Sequence, residues 1–284
     1  MRFVFLGTGT SAGVPAIGCS CEVCTSPDPR DQRLRTAAAV QFTDRSGKDR
    51  TVLIDAGPDL RQQALRAGLT RCDAVVFTHN HVDHTFGLDE LRRFNAVMEQ
   101  PIDIYADEHT LDHLFRVYKH IFDRKANVND SFVATLVPHR LKVQEEIELF
   151  GMKFTPVKLL HGKLPILGFR IEPGAELASA AKGSPFPLAY CTDVSGVPPE
   201  TWGKLSGLNT LVLDALRHRH HPTHLTLGDA VNVAAQIGAE RTYFVHMAHD
   251  LAHEETNKGL PEGMKLAYDG LVLGARRDED MADA

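Results

Sequence analysis

The chain has 284 residues, 43% hydrophobic and 24% charged, with a net charge of -6 when histidine is counted neutral. That composition is ordinary for a globular protein and excludes collagen-like, disordered and coiled-coil classes. No apolar run approaches the ~20 residues that span a bilayer, and the acidic balance argues against a protein whose main task is gripping nucleic acid.

Short apolar runs rich in β-branched and aromatic residues predict about a dozen strands. The first, residues 3–6, runs straight into Gly7-Thr8-Gly9-Thr10. It is too short for the apolar core of a signal peptide, so a cytoplasmic protein is expected. Further strands are predicted at 38–42, 52–54, 74–77, 102–105 and 132–137, then at 154–160, 166–171, 188–191, 211–213, 242–245 and 271–273. Helical patterns fall between them, at 59–67 after Pro58, at 88–98, at 110–122 and at 229–237. The last is opened by Thr226-Leu227-Gly228-Asp229, a capping-box spacing. The small-residue stretch 174–187 reads as a surface excursion, and 276–284 as a frayed acidic tail. The order of strands and helices in the first half recurs in the second without a sequence repeat. The expected architecture is a single α/β domain over 1–275, with two sheets packed face to face and helices outside.

The strongest chemical signal is Thr78-His79-Asn80-His81-Val82-Asp83-His84. A helix would scatter these four ligand types around its axis, and a strand would divide them between two faces. A loop can wrap all four around one ion or two. Other strand-like runs also end at ligand-type residues: 157–160 at His161, 188–192 at Asp193 and 243–245 at His246. Sites in layered α/β proteins collect at such carboxyl ends.

This series resembles the metallo-β-lactamase-fold hydrolases along nearly the whole chain, including Leu53-Ile54-Asp55-Ala56-Gly57. The resemblance implies the four-layer αβ/βα metallo-β-lactamase sandwich. It implies that His79, His81 and His161 hold one divalent metal, and that Asp83, His84 and His246 hold another. Asp193 would bridge the two, with a hydroxide shared between them, and Asp55 would brace the metal-binding loop. The donor set suits zinc, manganese or iron(II). Cys191 reads as a buried strand thiol in preference to a ligand.

Three of the five cysteines cluster in Gly18-Cys19-Ser20-Cys21-Glu22-Val23-Cys24, within a Cys-rich loop of about residues 18–25. They can supply three corners of a tetrahedral zinc site. Together with Gly7-Thr8-Gly9-Thr10, this loop is similar to the bacterial phosphoribosyl 1,2-cyclic phosphate phosphodiesterases of phosphonate breakdown. That resemblance implies His249 as the fourth ligand of a structural zinc. It also implies His224 as the general acid, preferred over His218, His220 and His221, whose share in that role the sequence leaves open. His224 and Asp83 are thus the candidate catalytic side chains.

The leading expectation is a metal-dependent phosphodiesterase that opens a cyclic phosphodiester on a small sugar phosphate. A tRNA 3′-processing endonuclease shares the metal motif, but no basic Gly/Pro-rich insertion is present. The pyrroloquinoline quinone biosynthesis B proteins, considered as carriers or oxidative enzymes, share the cysteine spacing and the stretch Pro58-Asp59-Leu60-Arg61-Gln62-Gln63. The expected partner is a small phosphorylated sugar, with no nucleic acid and no membrane. A homodimer is common in the family resembled. Asp214, after the run 211–213, is open between support of the site and capping of the next helix. Arg92, Arg93, His109, His113, Lys119 and His120 read as polar helix faces. Gly7-Thr8-Gly9-Thr10-Ser11-Ala12-Gly13 lacks the spacing of a dinucleotide loop and reads as a tight turn.

Overall fold

A computed structural model of the chain describes residues 1–126 and 132–274. The expected acidic tail lies outside the described residues. The first sheet contains β1 (Arg2–Gly7), β2 (Ala37–Thr43), β3 (Asp49–Ile54), β4 (Ala74–Val76), β5 (Ile102–Ala106) and β6 (Leu136–Arg140). The second contains β7 (Ile147–Leu149), β8 (Met152–His161), β9 (Leu164–Pro173), β10 (Leu188–Cys191), β11 (Thr210–Asp214), β12 (Arg241–Val245) and β13 (Met264–Leu266). The chain then returns, and β14 (Val272–Gly274) completes the first sheet beside β1.

The two sheets have the same plan. The first runs β14-β1-β2-β3-β4-β5-β6 and the second β7-β8-β9-β10-β11-β12-β13. In each, the first three pairings are antiparallel and the last three are parallel.

Alternation along the strands builds the layers, because successive side chains leave a strand on opposite faces. Phe3, Phe5, Val52, Ile54 and Val76 meet Phe154, Phe169, Ile171 and Tyr190 between the sheets. The alternate residues Val4, Leu6, Leu53, Val75 and Phe77 face outward onto the first helical layer. That layer holds α1 (Leu60–Arg66), α2 (Val82–Thr85), α3 (Leu91–Met98), α4 (Glu108–Val117) and α5 (Lys119–Phe122). Val157, Leu159, Cys191, Leu211, Leu213 and Phe244 face the second helical side. Its helices are α6 (Pro199–Trp202), α7 (Leu227–Ile237) and α8 (His253–Gly259). Strands covered on both faces read as unbroken apolar runs, which is why the sequence shows runs and little alternation. The fold is the αβ/βα sandwich.

Several boundaries differ from the sequence reading. The predicted helix 110–122 is broken at Tyr118, whose hydroxyl donates to the Thr85 carbonyl at 3.1 Å. The predicted strand 132–137 begins at Leu136, and its Pro138 is tolerated because β6 is an edge strand. The segment 88–98 opens with a 3₁₀ turn, Leu88–Glu90. The stretch 174–187 is more than an excursion, since Leu177 and Phe186 enter the core between the sheets. At α7, the Thr226 hydroxyl accepts from the Asp229 amide at 3.1 Å, as the capping box predicts.

Candidate metal centre

The parallel pairing of β3 with β4 and of β10 with β11 and β12 brings several carboxyl ends to a common rim. β8 runs in the same direction as β10, because both pair antiparallel with β9. His79 follows β4, Asp193 follows β10, His246 follows β12, and His161 closes β8. His81 caps the short helix α2, which carries Asp83 and His84 on its first turns.

Asp55, Asp193 and His246 have positive φ angles of 65°, 58° and 61°. A left-handed conformation costs a non-glycine residue roughly 1–2 kcal/mol, and here it bends three chains sharply at the ends of their strands. Asp55 accepts from the Thr78 amide, the Thr78 hydroxyl and His84 Nδ1, each at 2.8 Å. One buried carboxylate therefore fixes both ends of the loop 78–84. Close backbone approach does the rest. A Cβ on Gly57 would stand 2.1 Å from the Asp83 carbonyl oxygen, and one on Gly87 would stand 1.9 Å from the Gly57 carbonyl oxygen.

The side chains converge on Asp193. Ligand atoms of His79, His81 and Asp193 lie within 4.8 Å of one another, as do those of Asp83, His84, Asp193 and His246. His161 joins Asp193 and His224 in the same way, and its ring lies 5.0 Å from that of His81. His84 Nε2 is 3.2 Å from Asp193 Oδ2, while His246 Nε2 is 3.1 Å from Asp193 Oδ1. All seven residues singled out in the sequence are thus together.

Burial holds His79, His81 and His161 below the ordinary imidazole range. His84 behaves oppositely. Burial works against its charge, but Asp193, Asp83 and Asp55 outweigh that and hold it well above the usual value. Burial likewise opposes a charged His246, yet Asp193, Asp83 and Asp214 carry it up to about 9. Burial disfavours a charged Asp193 too, but His246 and His84 hold it well below the usual carboxylate range. Among the described residues, the Nε2 atoms of His79, His84 and His246 are buried without a hydrogen-bond partner. Buried polar atoms are rarely left so. Imidazole nitrogens and carboxylates converging on shared points, with the far side of His84 pinned by Asp55, are a donor set that fits divalent cations.

His224 lies beside this cluster. Its ring is 4.6 Å from His161 and 4.7 Å from His246, stacked nearly parallel to the latter at 14°. Its Nδ1 faces Asp214 Oδ2 at 3.2 Å, so Nε2 is the nitrogen left for the site. Asp214 also accepts from the Leu225 amide at 3.3 Å. The open choice at Asp214 resolves toward support of the site. His221 reaches the neighbourhood, with its ring 5.1 Å from His224, whereas His218 and His220 are exposed. Cys191 packs among Val157, Leu213 and Phe244, where burial raises its thiol to about 12.

The second cluster joins the N-terminal loop to the segment after β12. His249 Nδ1 lies 3.2 Å from Cys19 Sγ, 3.2 Å from Cys21 Sγ and 3.5 Å from Cys24 Sγ. Tetrahedral zinc with Zn–S ~2.3 Å and Zn–N ~2.0 Å requires S···N separations of about 3.5 Å, so the four donors fit such an ion. The Cys24 amide and then His249 lower the Cys21 thiol to about 6, while burial raises Cys24 to about 11. Arg33, fully buried, ties this loop to the same segment through the Ala248 carbonyl at 3.0 Å and through Asp31, which accepts the His253 amide at 2.8 Å.

Sequence reasoning missed one neighbour. Asn80, inside the histidine motif, lies 3.2 Å through Nδ2 from His109 Nε2 on α4. Only the helical spacing of His109 and His113 could have hinted at a shared face.

Residues 50–247 match the beta-lactamase superfamily domain. The chain is also 45% identical to a crystal structure of a new diphosphatase from the PhnP family, with a TM-score of 0.82 over 96% of this chain and 97% of that one. The chain belongs to the PhnP family of the beta-lactamase superfamily. It is a metal-dependent hydrolase with a His/Asp metal-binding cluster. An octanoyltransferase of Porphyromonas gingivalis is 34% identical over 95% of this chain, but the chain spans only 51% of that protein. The coenzyme PQQ synthesis protein B of a Methylobacterium species is 25% identical, covering 96% of this chain and 99% of that one. Two further structures share the fold. The Zn(2+)-bound PqqB of Methylobacterium extorquens is 23% identical with a TM-score of 0.72, covering 97% of this chain and 100% of that one. The short form of human tRNase Z is 20% identical with a TM-score of 0.66, covering 98% and 100%. Among the described residues, no helix is long and apolar enough to cross a membrane.

Proposed function

We propose that this hydrolase opens a cyclic phosphodiester on a small sugar phosphate, such as phosphoribosyl 1,2-cyclic phosphate. The observation that carries the reading is the place of His224, against His161 and His246 with its Nδ1 turned to Asp214. Hydrolysis adds water across a P–O bond, with hydroxyl to phosphorus and a proton to the leaving oxygen. A ribose alkoxide is a poor leaving group and needs that proton from a general acid, a role imidazole commonly fills. His224 Nε2 is the atom that delivers it.

In this reading His79, His81 and His161 hold one divalent cation, Asp83, His84 and His246 hold a second, and Asp193 serves both. When bound, two such cations, manganese or zinc, supply an activated water and positive charge for the phosphoryl oxygens. Asp55 keeps His84 turned toward them. Cys19, Cys21, Cys24 and His249 hold a structural zinc apart from the reaction. The negative net charge favours a small substrate over a polynucleotide. The protein works in the cytoplasm, and a homodimer is the assembly we favour.

A second reading, hydrolysis of a diphosphate bond, is favoured by the activity named for the 45% identical relative. Both readings are tested by one panel on metal-loaded protein: a cyclic ribose phosphate, a dinucleoside diphosphate, bis(p-nitrophenyl) phosphate, a pre-tRNA, a thioester and a β-lactam. Turnover of the cyclic ribose phosphate at least tenfold above every other natural-type substrate is expected. Preferential cleavage of the diphosphate establishes the second reading, and turnover of only the thioester, the lactam or the pre-tRNA overturns both.

A further inference from the structure

The two helical sides of the sandwich do not meet solvent alike. The sheets beneath them follow one plan, yet among the described residues every exposed large hydrophobic side chain lies at or before Val143. Leu65 on α1, Val82 on α2, Val97 on α3, Phe115 on α4 and Val137 on β6 are among them. Helices α6, α7 and α8 on the second side expose none. The second side is thus an internal reference for a helical layer that faces only water. The first layer carries apolar surface that this plan does not require, and such surface, where it gathers, marks a place of contact. It gathers at the edge of the first sheet. Phe115 of α4, Ile121 and Phe122 of α5, and Leu136 and Pro138 of β6 line a groove of about 680 Å³. The Phe115 and Phe122 rings meet edge to face with centroids 4.9 Å apart. β6 is the edge strand, and Pro138 removes an amide from it, which disfavours strand addition and leaves side-chain packing as the means of contact.

The charges beside the groove are ordered. Asp112, Phe115, Arg116 and Lys119 stand three and four residues apart, which aligns them along one side of α4 and the start of α5. All four are exposed, away from the buried face of Thr110, Leu111 and Leu114. Among the described residues, none of the three charged side chains forms an ion pair; Arg116 donates only to His113 Nδ1, at 3.4 Å. Along the stripe the acid comes first, the aromatic ring next and the two bases last. A stripe in that order complements itself when turned end for end: Asp112 then faces Arg116 and Lys119, and Phe115 faces its own kind. A uniformly acidic or basic partner would instead set like charges against one part of the stripe. With a net charge of -6 on each chain, two copies repel at a distance, so they meet best where the local charge balances.

We infer that α4, with α5 and β6 beside it, is the face through which two copies of this chain pair, α4 lying antiparallel to α4 about a two-fold axis near Phe115. The inference rests on the homodimer favoured above and adds the face and its register. In such an isologous contact each copy offers the same patch, so every charge pair occurs twice. The apolar groove supplies the packing, and Asp112 with Arg116 and Lys119 sets the direction in which the helices run.

The test is sedimentation of the full-length, metal-loaded protein over a range of concentrations. The wild type should sediment as a dimer. Asp112→Lys makes the stripe wholly basic, and the double variant Arg116→Glu, Lys119→Glu makes it wholly acidic. Each should raise the dimer dissociation constant by about tenfold or more, because like charges then face each other. Mixed in equal amounts, the two variants should recover a dimer with one copy of each, read by native mass spectrometry; a folding defect would not be repaired by mixing. Glu255→Lys, on α8 of the second side, should leave the constant within about twofold. A wild type that sediments as a monomer throughout overturns the homodimer reading and the face with it. A wild-type dimer that the stripe variants leave unchanged, that they weaken without recovery in the mixture, or that Glu255→Lys weakens equally overturns the face and leaves the homodimer reading standing.

Discussion

The Nδ1 of His224 lies 3.2 Å from Oδ2 of Asp214, a carboxylate with no solvent exposure. Held this way, the imidazole presents Nε2 to the cluster around Asp193. His224→Ala should lower kcat on a cyclic ribose phosphate by about 10²- to 10⁴-fold, the usual worth of a general acid. The loss on bis(p-nitrophenyl) phosphate should be much smaller, because p-nitrophenolate leaves without a proton. Asp214→Asn should repeat the pattern at about 10- to 100-fold. Equal losses on both substrates would remove His224 from the acid role. Metal content, measured in parallel, should be unchanged in His224→Ala.

Asp193 belongs to three of the donor clusters around the site. Asp193→Ala is therefore expected to abolish turnover and to lose catalytic metal. Elemental analysis after gel filtration checks this. Full retention of both ions would show that the shared carboxylate is dispensable for binding.

Cys21→Ser should remove one zinc per chain while the catalytic pair remains. The melting temperature should drop by several degrees, since structural zinc contributes directly to folding stability. A variant with the same zinc content as wild type would contradict the assignment.

Gly57→Ala places a methyl group 2.1 Å from the Asp83 carbonyl oxygen. Overpacking of this kind costs about 1–3 kcal/mol. Here it also pushes on α2, so weaker catalytic metal binding should accompany the lower stability. A urea titration with and without added manganese separates the two effects.

Stability should depend on pH through His253. Burial, then Arg30 and Arg33, lower this imidazole to about 4 from an ordinary value of 6.5. Between those two values the unfolded chain binds the proton and the folded chain does not. The contribution of neutral His253 is thus complete above pH ~6.5 and is lost as the pH falls through ~4. His253→Phe, which keeps a ring against Tyr268, should flatten the fall of the urea midpoint across that window relative to wild type. Identical slopes would dismiss the effect.

Much of the site was legible because its ligand types stand where apolar runs stop. His79, His161, Asp193 and His246 each close or follow a strand, and composition alone marks that junction. The layers were legible for a similar reason, since strands buried on both faces leave unbroken apolar runs. The support of the site was harder to read. Asp214 ends a run like the others, and only the fold reveals that its carboxylate meets His224 rather than a helix end. The helix breaks at Tyr118, whose hydroxyl bonds the Thr85 carbonyl 33 residues away, a contact that no local propensity encodes. His109 and His113 look like any solvated helix face until α4 is laid beside Asn80.

The matching plan of the two sheets has a consequence for assembly. The exposed hinge at 142–146 separates a leaf carrying Cys19, Cys21, Cys24, His79, His81, Asp83 and His84 from a leaf carrying His161, Asp193, His246 and His249. Neither leaf owns a complete set of donors for either cluster, so an ion held by either cluster would pin both leaves together. A polypeptide cut within 142–146 should stay joined through the core between the sheets and through β14, which pairs with β1, and chelation should weaken that association without abolishing it.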